Sequence, residues 1–157
     1  MSENSEETKK NAKEQSEKLA KLGMSISEIQ FSYKVNEKTS KEYWSKRIEL
    51  FKKYSKCSLQ YYNQAYSLMN LVNKQESQMF LLRISKFRQL ASELNELMEK
   101  IKENPSIINS KDKQQSMWSK EIRQQIVEHS NKCVRHEKDT NTSFREFYEK
   151  HLRGILG

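Results

Sequence analysis

Glycine and proline are scarce in this chain of 157 residues, which has three of the first and one of the second. Phosphate-cradling loops and tight turns draw on glycine for backbone with positive φ. Two of the three glycines stand at 154 and 157, so nucleotide-binding loops are excluded. Apolar residues are also few, at 34% against 32% charged, too little for a thick core closed on all sides but enough for stripes along helices. A two-layer α/β enzyme is therefore not expected, and the length allows one domain at most. No window approaches the roughly 18 to 20 continuous apolar residues needed to span a bilayer. The two cysteines, Cys57 and Cys133, lack CxxC spacing, and the polar opening has no apolar signal-peptide core. A reducing, intracellular and cytoplasmic setting is the expectation.

What the chain has in plenty is charge. Its 29 basic and 21 acidic groups give a formal +8, which favours an acidic partner: nucleic acid, an anionic membrane or the acidic face of a protein. Residues 1 to 23 carry five acids and five bases with Ala12, Leu19, Ala20 and Leu22 as their apolar content beyond Met1. Such a segment buries little against its ordering entropy and reads as a disordered or fraying helical tail ending at Gly23. The surplus charge lies beyond it, in an elongated helical domain over 24–157.

From about 27 to 102 there is no glycine or proline, and apolar residues recur at helical spacing. Phe80, Ile84, Phe87, Ala91, Leu94, Met98 and Ile101 alternate steps of four and three, a heptad seam. Trp44, Ile48 and Phe51, then Tyr62, Ala65, Met69 and Val72, follow the same alternation, with serines at 55 and 58 between them. A double step of four through Glu76 shifts the register between the runs, as a stutter does without ending a helix. Unbroken, this helix would extend roughly 110 Å. Asn104 and Pro105 stop it. A connector over 103–110 follows, with Asn109 or Ser110 placed to cap a last helix over about 111–153, whose seam contains Trp118, Ile122, Ile126, His129, Cys133, His136, Thr140, Phe144 and Phe147 or Tyr148. A short loop returns that helix antiparallel. At roughly 65 Å it covers little more than half of the first, so part of the long helix is expected to pair with another chain. The fold class is all-α, long antiparallel helices forming a coiled coil or elongated bundle.

Two constellations bear on chemistry. His129, Cys133 and His136 share one helix face, and imidazole and thiolate are zinc ligands. They also coincide with the seam, and no second cluster completes four ligands, so they read as packing residues; no metal or other cofactor is expected. Nucleophilic catalysis by Cys133 would need a cleft and oxyanion donors, and no enzymatic site is expected. Lys41, Lys46, Arg47, Lys52, Lys53 and Lys56 stand within sixteen residues against Glu42 and Glu49, and Arg83, Lys86 and Arg88 form a smaller cluster. These are either a solvated helix face or an anion-contacting stripe in which Lys52 and Lys56, four apart, share a face. Specific nucleic-acid recognition is not expected, because zinc-finger, helix-turn-helix and basic-zipper spacings are missing and the aromatics sit at core positions.

The stretch RHEKDTNTSFREFYEKHLRGIL, with Arg135, Glu137, Lys138, Phe144, Lys150, Leu152 and Leu156, resembles the closing helix of the BAR region in sorting nexins, with His136 where that pattern has an aromatic. The resemblance implies a crescent-shaped antiparallel homodimer applying basic residues to curved anionic membranes in trafficking. Composition and seams alone point to a helical scaffold subunit completed by partner helices or by itself.

Overall fold

The computed structural model describes residues 2–29 and 41–156, with side chains from residue 6 onwards. Every long element is helical: α1 Ser2–Ser27, α2 Lys41–Val72, α3 Lys74–Glu103, a 3-10 turn Pro105–Asn109, α4 Lys113–Phe147, a π-helical turn Tyr148–Leu152 and a final turn α5 Arg153–Leu156. The described residues contain no strand. The architecture is an antiparallel all-α bundle.

The long stretch does not continue through 73. α2 ends at Val72 and α3 starts at Lys74, folded back along it, so that Tyr62 meets Phe80 and Phe87 at ring-centroid distances of 6.3 and 5.4 Å. Along one straight helix, Tyr62 and Phe80 would stand about 27 Å apart. Asn73 makes the corner. Its backbone is extended (φ −151°, ψ 97°), its N–H donates to the Met69 carbonyl at 2.8 Å, and its side chain accepts the Glu76 N–H at 3.1 Å. Asparagine offers the backbone just this alternative to continuing a helix. The register shift through Glu76 is thus a corner rather than a stutter, and the two seams pack against each other. Over this stretch α2 and α3 are therefore each other's packing partners within the chain. Of the expected helix over 27–102, residues 30–40 lie outside the described residues.

The charged opening segment is a helix that runs past Gly23 to Ser27, although its first side chains lie outside the described ones. Glu6/Lys10, Glu14/Lys18 and Glu17/Lys21 have the i,i+4 order, Glu before Lys, that supports a helix. Ala12 and Leu19 are buried, and Leu22 and Ile26 are half-buried on the same stripe. α1 runs antiparallel to α2, with Gln64 donating to the Gln15 side chain. At Gly23 α1 runs beside the Tyr61 ring, where an added Cβ would make ordinary van der Waals contact at 3.4 Å.

Asn104 and Pro105 end α3, as the sequence predicts. The cap of α4 is Asp112, accepting the N–H groups of Gln114 and Gln115 at 2.9 and 3.1 Å, rather than Asn109 or Ser110. A carboxylate there also suits the helix dipole. α4 returns along α3. Two apolar clusters result. One, at the Asn73 end, joins Ala12, Leu19, Tyr62, Phe80, Phe87, Phe147 and Leu152; the other joins Trp44, Ile48, Leu94, Met98, Ile101, Ile122 and Ile126.

Of the residues assigned to helix packing, Trp44, Ile48, Phe80, Ile84, Phe87, Leu94, Met98, Ile101 and Ile122 are buried, and Phe51 and Phe144 are half-buried against the clusters. Trp118 is the correction. It stays 41% exposed while Ser119 beside it is fully buried. The inward stripe of α4 runs Ser119, Ile122, Ile126, Cys133, Thr140, Phe147, the expected seam from Ile122 onwards but opened by Ser119 in place of the indole.

Candidate interaction groove and tyrosine-lined cavity

Folding α3 back on α2 decides which basic side chains meet. Lys52 and Lys56 of α2 and Arg88 of α3 border one groove of about 860 Å³ on the outer face of that helix pair. Its floor is made of small side chains, Ser55, Ala91 and Ser92, with Leu59 and Asn95 beside them. The serine at 55 that interrupts the seam is buried and donates to the Phe51 carbonyl at 2.8 Å, a self-satisfied hydroxyl that keeps the surface hollow. Toward the Asn104 end the same groove is bordered by Glu96, Glu99 and Glu103 with Lys100 among them. The charge therefore reverses along the groove. The Asn95 side-chain oxygen is buried without a hydrogen-bond partner among the described residues.

The other basic residues go elsewhere. Arg47 lies 5.1 Å over the Trp44 ring and borders the grooves between α2 and α4. Lys53 and Lys86 are exposed outside the α2/α3 groove, and Arg83 is half-buried, with its backbone carbonyl accepting from His136 Nε2 at 2.7 Å. Of seven residues assigned to one anionic surface, three converge.

His129, Cys133 and His136 are held apart in use. His129 places Nδ1 3.1 Å from the Gln125 carbonyl and Nε2 3.1 Å from Glu93 Oε2. Cys133 is buried, and burial, followed by the nearby Glu93 charge, pushes its thiol up, away from the thiolate. Among the described residues no group of three His, Cys, Asp or Glu side chains is arranged to hold a metal ion.

A second feature is not among the sequence expectations. A cavity of about 480 Å³ lies where the end of α1 meets α2, α4 and the π-helical turn. Its aromatic lining is Tyr54, Tyr61, Tyr62, Phe144 and Tyr148, and its acid is Glu137, which accepts a hydrogen bond from the Tyr54 hydroxyl. Burial pushes the Glu137 carboxyl up to about 7. Among the described residues no cation forms an ion pair with it. Burial likewise raises the phenols of Tyr61 and Tyr62. The two tyrosines stand edge to face at 76°, forming a corner. Tyr54 and Tyr61 are seven apart, two helical turns, which is the signal in the sequence; the α4 side of the cavity is visible only in the fold. The π-helical turn starts at Tyr148, and such turns recur at functional sites. It is anchored by Lys150 and His151, which reach the two Glu76 carboxylate oxygens at 2.8 and 3.1 Å.

No helix among the described residues is long and apolar enough to cross a membrane. Comparison with protein-family models, with curated proteins and with solved structures finds no match to this chain.

Proposed function

We propose that the chain is a non-enzymatic helical interaction protein, a scaffold subunit that docks another helix pair on its outer α2/α3 face, and that a second copy of itself is the first occupant. The observation that carries this is the charge reversal along the groove, from Lys52, Lys56 and Arg88 to Glu96, Glu99 and Glu103. Two copies related by a two-fold axis across the groove place the cationic end of each on the acidic end of the other, the self-complementarity an isologous interface requires. The floor of small side chains lets helices approach closely. The absence of catalysis is supported by a buried Cys133 and by histidines engaged with Glu93 and a backbone carbonyl.

Analytical ultracentrifugation tests it. The parent should self-associate, Lys52→Glu with Lys56→Glu should weaken that association, and mixing this variant with Glu96→Lys/Glu99→Lys should restore it. A parent that stays monomeric at high concentration, or a mixture that does not pair, refutes the self-association.

A second reading, a BAR-like module on anionic membranes, draws on the convergence of Lys52, Lys56 and Arg88 from separate sequence clusters. Each basic residue near such a surface contributes about 1 kcal/mol. The three glutamates in the same groove weigh against it. Salt-sensitive co-sedimentation with phosphatidylserine vesicles, lost in Lys52→Glu/Lys56→Glu with helicity intact, would favour it over docking.

A further inference from the structure

The tyrosine-lined cavity stands apart from the α2/α3 groove and is independent of what docks there. Its wall sets aromatic rings around a carboxyl, with Ser58 and Asn141 as the further polar lining. Four tyrosines and a phenylalanine supply ring faces, whose electron-rich quadrupole attracts cations, most strongly where water is excluded. A partly buried carboxyl, Glu137, stands among them with one hydroxyl donor, Tyr54, and no paired cation among the described residues.

A carboxyl in that setting is incomplete in either form. Ionised, it has lost water and gained one hydrogen bond, a net cost. Neutral, it leaves a donor to be satisfied in a site of modest polarity. An organic cation in the cavity resolves both: it neutralises the carboxylate and offers alkyl surface to the rings. Inorganic cations fit poorly, since one carboxylate and a few hydroxyls supply fewer oxygens than calcium or magnesium prefer. An anion is disfavoured by Glu137 itself. The exposed Arg145 sits at the rim and adds guanidinium to the mouth rather than to the carboxylate.

We propose that this cavity, bounded by α1, α2, α4 and the π-helical turn, is a binding site for a small organic ammonium ion, with Glu137 as its counter-ion and Tyr54, Tyr61, Tyr62 and Tyr148 as its aromatic wall. At about 480 Å³ it has room for a compact ammonium with one short substituent. α1 is needed to close it, because Gly23 and Ile26 form that side.

The groups facing Glu137 limit what else can titrate. α1 contributes Gly23 and Ile26, and α2 contributes the tyrosines and, in the adjoining groove, Arg47; α3 contributes Leu94 and Met98. α4 contributes Cys133 and Arg145, and the π-helical turn Tyr148. Arginines stay charged near neutrality, and burial raises the Cys133, Tyr61 and Tyr62 groups further from it. Since the cation binds the carboxylate and the empty site holds a proton below about 7, affinity should rise with pH and level off above that point.

Isothermal titration of the full chain with choline chloride, whose charge does not change with pH, reads this directly. Saturable binding is expected at pH 8. It should weaken roughly tenfold for each pH unit below about 7. The uncharged isostere 3,3-dimethyl-1-butanol should bind at least roughly tenfold more weakly than choline. Glu137→Gln, nearly the same shape, should lose the affinity and its pH dependence together. Absence of saturable choline binding, equal binding of the neutral isostere, or a pH-flat affinity in the parent would each overturn the assignment. The pH series and the isostere need no variant, so they decide the matter even if the substituted chain folds poorly.

Discussion

Replacing Asn73 by alanine has opposite signs under the two ways the stretch 41–103 can be built. Were it one continuous helix, Asn73 would be an interior residue and alanine, the better helix former, would stabilise by about 0.6 kcal/mol. In the observed hairpin the Asn73 side chain accepts the Glu76 N–H at 3.1 Å and starts α3. Alanine leaves that donor without its partner, and loss of an N-cap costs about 1 kcal/mol, with a range of roughly 0.5 to 2. Glu76 adds to the cost where its backbone moves, because its carboxylate receives Lys150 and His151. Urea unfolding followed by circular dichroism should therefore show a lower midpoint with an unchanged slope. For a chain of this length the thermal midpoint should drop by about 2 to 4 °C. A companion measurement fixes the geometry: spin labels at the exposed Gln60 and Gln89 should lie within about 25 Å in the hairpin, against about 44 Å along a continuous helix. A stabilised Asn73→Ala, or a label distance near the longer value, would refute the hairpin.

Other perturbations test the packing and the titrating groups. Leu94 is 3% exposed beside a cavity of about 280 Å³ between α2 and α4. Leu94→Ala removes three carbons worth about 2.4 kcal/mol in transfer and enlarges a space the helices already leave open, for a total of about 3 kcal/mol in thermal or urea unfolding; a loss under about 1 kcal/mol would place Leu94 outside the core. Glu137 binds its proton more tightly folded than unfolded, so stability should fall as pH rises from about 4.5 to about 7, by on the order of 2 kcal/mol after allowance for partial exposure. Glu137→Gln should flatten that decline, and an unchanged pH profile would contradict the burial of the carboxyl. Glu76 is the opposite case: hydrogen bonds from Lys150 and then His151 hold its carboxyl below the usual range. The docking of the π-helical turn should therefore be kept above the ordinary glutamate range and loosen as pH falls through it, visible as faster amide exchange at residues 148–152.

How much of this was open to a reader of the sequence depends on what periodicity can carry. Heptad alternation from Phe80 to Ile101 marks a helix and its buried side, and those residues are buried. It carries no direction: the same pattern serves a rod and a hairpin, and the seams before and after 73 look alike. The discriminating signal was local. Asn73 with Glu76 three residues on is the N-terminus pattern of a helix, set in a stretch whose lack of glycine and proline favours continuity. In the opening segment few apolar residues argue for fraying while three ordered Glu-to-Lys pairs argue for helix, and composition alone does not rank the two. Trp118 shows the limit of size as a guide, because the narrow position on α4 takes Ser119 and leaves the indole outside.

The corner at Asn73 also determines the surface. On a continuous helix, Lys56 and Arg88 would stand about 48 Å apart, and no groove would hold both, whereas the hairpin sets them on one rim. The glutamates follow by the same register, since Glu96, Glu99 and Glu103 lie further along α3 from the corner than Arg88 and so gather at the far end of the groove. The charge reversal proposed to guide docking is therefore a consequence of where α2 stops. A substitution that opened the corner should scatter the cationic cluster even with every lysine and arginine in place. Asn73→Ala, costing about 1 kcal/mol, should leave the hairpin populated and self-association measurable, while Asn73→Ala combined with Glu76→Ala, which also removes the Lys150 and His151 anchor, should weaken association as Lys52→Glu/Lys56→Glu does. Association as strong as the parent's in that double variant, with label distances showing an opened hairpin, would separate the groove from the fold and refute the connection.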